Sequence, residues 1–129
     1  MGALREDVLP DLTRAIIGSA ITVHRELGPG LLEGTYRACL LEQLAADGLA
    51  ADHEVRLPIK YRGLTVDSGY RADVIVERQV LLELKAVEAL TPVHEAQVLT
   101  YLKHSHLRVG LLMNFNVTKL VNGIRRFVR

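Results

Sequence analysis

Cysteine occurs once in this chain, as Cys39, and tryptophan does not occur at all. One thiol excludes an intrachain disulfide and any thiolate metal cluster. No apolar run approaches the roughly 18 residues that would suggest a membrane span. Met1-Gly2-Ala3-Leu4-Arg5-Glu6-Asp7 has neither the apolar stretch nor the cleavage site of a secretory signal. Glu6 stands where a myristoylation signal needs Ser or Thr. The expected address is the cytoplasm, with no membrane partner. An excess of one charge is also missing, because 16 Lys and Arg against 15 Asp and Glu leave a net +1. That balance counts against tight, non-specific duplex binding, which usually leaves a basic footprint. The basic residues available to a nucleic acid are local: Arg56, Lys60, Arg62 and Arg71 in one region, Arg125, Arg126 and Arg129 in another.

Other chemistries lack their residues. His94, His104 and His106 have no metal-ligand spacing with a glutamate, so a zinc hydrolase is not expected. Gly28-Pro29-Gly30 lacks the lysine and the spacing of a phosphate loop. Cys39 lies among Ala38, Leu40 and Leu41 and reads as a buried hydrophobe. What remains is an ordinary globular composition, 49% hydrophobic and 24% charged, at 129 residues. That length fits a single domain over 1–129, with 1–11 as an N-terminal extension. High apolar content with few aromatics in a small chain also suggests a homodimer or a larger protein assembly.

Hydrophobic spacing sets the element order. Ile16, Ala20, Val23 and Leu27 predict a helix over 12–27, ended by Gly28-Pro29-Gly30. A second helix is expected from Leu31 to Asp47, with Gly48 as its stop. Val55, Leu57, Ile59 and Tyr61 then alternate as a strand, and Pro58 within it argues for an edge or a bulge. After a turn at Arg62-Gly63, a second strand reaches Val76, and residues 80–86 form a third. Thr91-Pro92 caps a helix running to about His104. Residues 107–115 form a buried strand, followed by an amphipathic tail. The order α-α-β-β-β-α-β predicts an α/β fold with a mixed sheet: an antiparallel meander, then a last strand that returns parallel.

The chemistry concentrates at Asp73, Glu83-Leu84-Lys85 and Gln97. Side chains alternate along a strand, so Glu83 and Lys85 share one face while Leu82, Leu84 and Ala86 take the other. A three-residue loop at Glu77-Arg78-Gln79 would set Asp73 opposite Glu83 and Arg71 opposite Lys85. Facing Cβ atoms lie within about 5.5 Å, so both carboxylates can grip one ion. A two-residue loop would put them on opposite faces. Oxygen ligands suit Mg²⁺ or Mn²⁺, and Lys85 beside the ion can position a water or offset charge on a phosphate. Gln97 and Tyr101, four apart on one helical face, can contact that water or a phosphate. The bland alternative is a solvated Asp–Glu pair neutralised by Arg71 and Lys85, with Gln97 and Tyr101 at a helix–sheet seam.

Taken together, these residues resemble the PD-(D/E)XK nuclease superfamily, and more closely its small GxxExxY protein family. That motif appears as Gly30-Leu31-Leu32-Glu33-Gly34-Thr35-Tyr36. Around it stand residues 23–30, Tyr70-Arg71-Ala72-Asp73, Glu83-Leu84-Lys85 and Asn114-Phe115. The resemblance covers the chain from about residue 12 onward. It departs at Ala72, where the proline of the superfamily's name is missing. The resemblance implies a restriction-endonuclease-like αβββαβ core, a mixed four-stranded sheet flanked by helices. It implies a divalent-metal-dependent nuclease, with Asp73, Glu83 and the Leu84 carbonyl as metal ligands and Lys85 as a catalytic residue. The Gln97-x-x-x-Tyr101 pair resembles the motif of an exonuclease branch in which an early-helix glutamate, here Glu33, joins the site. His24, Arg71 and Tyr101 become candidate substrate contacts, and DNA the expected substrate. A catalytically silent nucleic-acid-binding module and a structural or interaction subunit are the rivals on the same fold.

Overall fold

The computed structural model describes residues 9–129. Helix α1 (Pro10–Leu27) and helix α2 (Glu33–Ala46) precede a hairpin of β1 (Ala51–Tyr61) and β2 (Leu64–Val76). Strand β3 (Val80–Lys85), helix α3 (Pro92–His104) and strand β4 (Val109–Asn114) follow. A 3₁₀ turn (Leu120–Gly123) leads into β5 (Ile124–Val128). Of the expected N-terminal extension, Pro10 and Asp11 belong to α1, while 1–8 lie outside the described residues. No helix among the described residues is long and apolar enough to cross a membrane.

One sheet of five strands, ordered β1-β2-β3-β4-β5, separates two layers of helix. The expected four strands become five because the amphipathic tail pairs antiparallel with β4, from Val109↔Val128 to Met113↔Ile124. Strand β4 is buried along its whole length, and its outer edge would otherwise present unpaired backbone groups. β3 and β4 pair parallel from Val80↔Val109 to Lys85↔Asn114 across the α3 connection. Both are nearly continuous apolar runs, as strands covered on two faces must be.

On one face α1 and α2 pack Ile16, Ala20, Val23, Tyr36, Leu40 and Leu44 against Val74, Val76, Leu82, Leu84 and Met113. On the other, α3 packs Val98, Tyr101 and Leu102 against Ile75, Leu81 and Leu112. Gly110 lets α3 lie close to β4: a methyl group there would stand 2.7 Å from Val98 Cγ1.

The chain's punctuation falls where local chemistry puts it. Gly48, with φ +79°, ends α2 in the left-handed conformation, and the following Leu49 N–H bonds Leu44 O at 2.9 Å. Pro58 sits on an edge strand and beside a register shift between Leu57 and Ile59, so both expectations for it hold. Arg62 and Gly63, both at positive φ, make the two-residue turn that joins Tyr61 to Leu64. Residues 77–79 form the three-residue loop, which fixes Val76↔Val80 and Val74↔Leu82.

Candidate functional site

That loop decides the geometry of the polar end of the sheet. Counting on from Val74↔Leu82, Asp73 and Glu83 occupy the next facing positions on β2 and β3. The backbone ladder stops just short of them, and the Asp73 side chain takes over: its Oδ2 accepts from the Leu84 N–H at 2.9 Å. Glu83 is only 4% exposed. Leu82 and Leu84 pack on the α1–α2 side, so Glu83 and Lys85 face the α3 side.

Burial dominates the electrostatics of Glu83. Together with the Asp73 charge and a hydrogen bond between the two carboxyls, it pushes the Glu83 pKa up to about 9, while Tyr70 and Lys85 pull it back. The Tyr70 hydroxyl donates to Glu83 Oε1 at 3.0 Å. Tyr101 meets the Tyr70 ring edge-on, with centroids 5.3 Å apart. Both phenols ionise less readily than usual, through burial first and then the Glu83 charge. On the α2 side, the Arg37 guanidinium lies 3.5 Å from Asp73 Oδ1.

Glu33 opens α2, where the helix dipole favours a carboxylate. It is half-buried, and burial followed by the Asp73 charge raises its pKa, with Lys85, Arg37 and His94 opposing. Glu33 therefore sits within electrostatic reach of both Asp73 and Lys85. Its placement depends on Tyr36, whose hydroxyl donates to Gly28 O at 2.6 Å and accepts from Leu31 N–H at 3.1 Å. The Tyr36 ring stacks on Phe115 at 4.7 Å. The motif's tyrosine thus ties down the α1–α2 connection one turn from the motif's glutamate. Gly28, at φ +68°, supplies a backbone turn that a side chain would strain.

The remaining candidates divide. Lys85 is half-buried and lowers the pKa of both Glu83 and Glu33 without a contact ion pair to either among the described residues. Gln97 lies one turn before Tyr101 on α3, half-buried. Arg71 is not opposite Lys85: β2 has left β3 by that point, and Arg71 faces Arg56 of β1, with its guanidinium 3.4 Å from Glu54. His24 is buried, and its Nε2 lies 3.1 Å from Phe115 O and 2.8 Å from Val117 O. Those carbonyls make Nε2 a donor that ties α1 to the end of β4.

Arg37, Tyr70 and Asn114 also make contacts at this end of the sheet, and the sequence assigned none of them a role. Asn114 is buried, and its Oδ1 accepts from Val87 N–H at 3.1 Å and Asn116 N–H at 3.2 Å, while Nδ2 donates to Val87 O at 2.9 Å. It fastens the chain just beyond Lys85 to the end of β4. Tyr70 and Asn114 are among the residues that carry the family resemblance, which gave them no role; Arg37 stands only one helical turn after Glu33.

Among the described residues no three His, Cys, Asp or Glu side chains converge to hold an ion by themselves. The donors that could hold one here are the two carboxylates and the Leu84 carbonyl between Glu83 and Lys85. An all-oxygen set of this size fits a hard cation that keeps its waters and takes phosphate oxygens as further ligands. A cation would also oppose the burial and the Asp73 charge that keep a proton on Glu83.

Facing carboxylates at the parting of two strands, a lysine two residues on and helices on both faces define a restriction-endonuclease-like α/β domain. A model of the PD-(D/E)XK nuclease superfamily matches residues 10–127. The chain belongs to that superfamily, whose nucleases generally use divalent metals. Searches of curated proteins and of solved structures return no significant match.

Proposed function

We propose that this chain is a Mg²⁺- or Mn²⁺-dependent nuclease of the GxxExxY family that hydrolyses phosphodiester bonds in DNA. The observation that carries the proposal is the register of β2 and β3. It sets Asp73 against Glu83, with Lys85 on the same face. Asp73, Glu83 and the Leu84 carbonyl hold the cation. When bound, it supplies Lewis acidity toward the phosphate and makes water a better nucleophile.

The chain's own residues do the rest. Lys85 holds the attacking water by hydrogen bonding and offsets charge growing on the phosphoryl oxygens. Gln97, from α3, orients that water. Tyr70 and Arg37 are positioning residues, one holding the Glu83 carboxylate and the other Asp73. Glu33 supports a second cation or the substrate from the α2 side, and Tyr101 and Arg71 contact the nucleic-acid backbone. A cytoplasmic address and a homodimer or larger assembly belong to the same proposal, and sedimentation velocity decides the assembly.

The test is cleavage of labelled single- and double-stranded DNA and RNA in EDTA, Mg²⁺ or Mn²⁺. Glu83→Gln and Lys85→Met run beside the wild type after a folding check. Metal-dependent cleavage that both variants lose supports the proposal and names the substrate. A wild type that neither cleaves any of the four nor binds Mn²⁺ by calorimetry sinks it.

A further inference from the structure

Strand β2 shares only Val74–Val76 with β3, whereas β1 and β2 pair onward to Tyr61↔Leu64. From about residue 55 to 72 the hairpin is a two-stranded ribbon with no third strand beside it. Its root is backed by α3, because Val55, Leu57 and Tyr70 pack on that side's core.

Within the ribbon, Arg56 and Arg71 are directly opposite. Facing side chains on paired strands start within about 5.5 Å of each other, and like charges so placed destabilise the pair. Glu54 engages Arg71 at 3.4 Å. Arg56 has no ion pair or side-chain hydrogen bond among the described residues. The two arginines flank a concavity of about 170 Å³, whose other walls are Asp67 and Tyr70. Asp67 makes no ion pair with either arginine.

Two guanidinium groups facing across a ribbon, one of them without an ion pair, form an arrangement that an anion would stabilise. The planar fork of arginine matches the oxygens of a phosphate. Tyr70 both lines this concavity and donates its hydroxyl to Glu83, so the concavity lies next to the strand segment that leads to the carboxylates.

We propose that Arg56 and Arg71 clamp a backbone phosphate of the nucleic-acid strand whose scissile bond lies at Asp73 and Glu83, with Tyr70 between the two subsites. This rests on the nuclease reading above. A two-stranded ribbon bearing cations also has the dimensions to follow a duplex groove, so duplex and single strand are both probes.

The experiment is fluorescence anisotropy of short labelled oligonucleotides, single- and double-stranded, DNA and RNA, over a range of salt. Ca²⁺ stands in as a cation, because its looser oxygen coordination differs from that of Mg²⁺. Wild type is compared with Arg56→Gln, Arg71→Gln and Arg56→Lys. Arg14→Gln on α1, remote from the ribbon in sequence and exposed, is the control. Losing one phosphate contact lowers the slope of log Kd against log salt by about 0.7 for single strands and about 0.9 for B-form duplex.

That loss in both glutamine variants, with Arg56→Lys retaining the slope and Arg14→Gln unchanged, supports the clamp. Wild-type binding with an unaltered slope in Arg56→Gln overturns the clamp and leaves the nuclease reading intact. A wild type that binds none of the oligonucleotides overturns the clamp, while the nuclease reading stands or falls on the cleavage and Mn²⁺ assays above. The arginines are exposed, so circular dichroism and a melting curve suffice to show that the variants fold.

Discussion

Tyr70 and Glu83 sit on neighbouring strands and meet through a single hydrogen bond, phenol to carboxylate, at 3.0 Å. The donor stabilises the ionised form of a carboxyl that burial otherwise keeps protonated. Tyr70 thus sets how readily Glu83 gives up its proton to make room for a cation.

Tyr70→Phe removes the donor and keeps the ring against Tyr101. The Glu83 pKa rises further, and because metal competes with the proton for the carboxylate, Mn²⁺ affinity at neutral pH falls. A hydrogen bond to a charged group is worth about 1.5–3 kcal/mol, so the loss is roughly tenfold or more. It recovers as pH is raised. Calorimetric Mn²⁺ titrations across a pH series read both effects, and equal affinity in variant and wild type at every pH refutes the assignment.

Stability of the metal-free protein follows from the same group. Unfolded Glu83 loses its proton near the ordinary glutamate value of 4.5, while the folded protein keeps it until about 9. Between these values the folded state binds the extra proton, so stability falls as pH rises. The slope approaches at most about 1.4 kcal/mol per pH unit. Glu83→Gln flattens that slope. Urea unfolding in EDTA at several pH values, on both proteins, measures it.

Tyr36→Phe keeps the stack on Phe115 but leaves Gly28 O and Leu31 N–H without their partner. The expected cost is about 1–3 kcal/mol. Faster amide exchange at Leu31 would locate the loosening in the α1–α2 connection. If stability drops with no change in exchange there, the tyrosine acts elsewhere.

Gly110→Ala forces α3 away from β4, since the new methyl would stand 2.7 Å from Val98 Cγ1. Overpacking of this kind costs about 1–3 kcal/mol. Gln97 and Tyr101 ride on α3, so nuclease activity should fall by more than the unfolded fraction explains. A residual activity that tracks stability alone argues against a role for α3 in the site.

Much of this architecture is written in short-range patterns. Gly48 and Thr91 mark helix ends, Pro58 marks an edge, and the three residues 77–79 are enough to bring 73 opposite 83. Each of these depends on a few neighbouring residues. The pairing of β5 was less legible because five residues with half-buried Ile124 and Phe127 carry little periodicity. What the pattern does not encode is where the tips of long side chains meet. Arg37 reaches Asp73 from a helix and His24 reaches two carbonyls more than ninety residues away. Arg71 meets Arg56 and Glu54 because β2 parts from β3 before reaching it. Alternation assigns a face, while the divergence of strands decides the neighbours.

Asp73 does two jobs with two oxygens. Oδ2 replaces a strand carbonyl as acceptor for Leu84 N–H, at the place where the ladder ends, and Oδ1 faces Arg37. Alanine at this position would therefore leave a backbone amide without its acceptor as well as removing a charge, and an inactive Asp73→Ala protein would confound lost chemistry with a sheet that has begun to unzip. Asparagine keeps an acceptor for the amide while giving up the charge. The carboxylate is a strand-pairing element as well as a candidate ligand, which makes Asp73→Asn the cleaner probe of what the charge alone contributes.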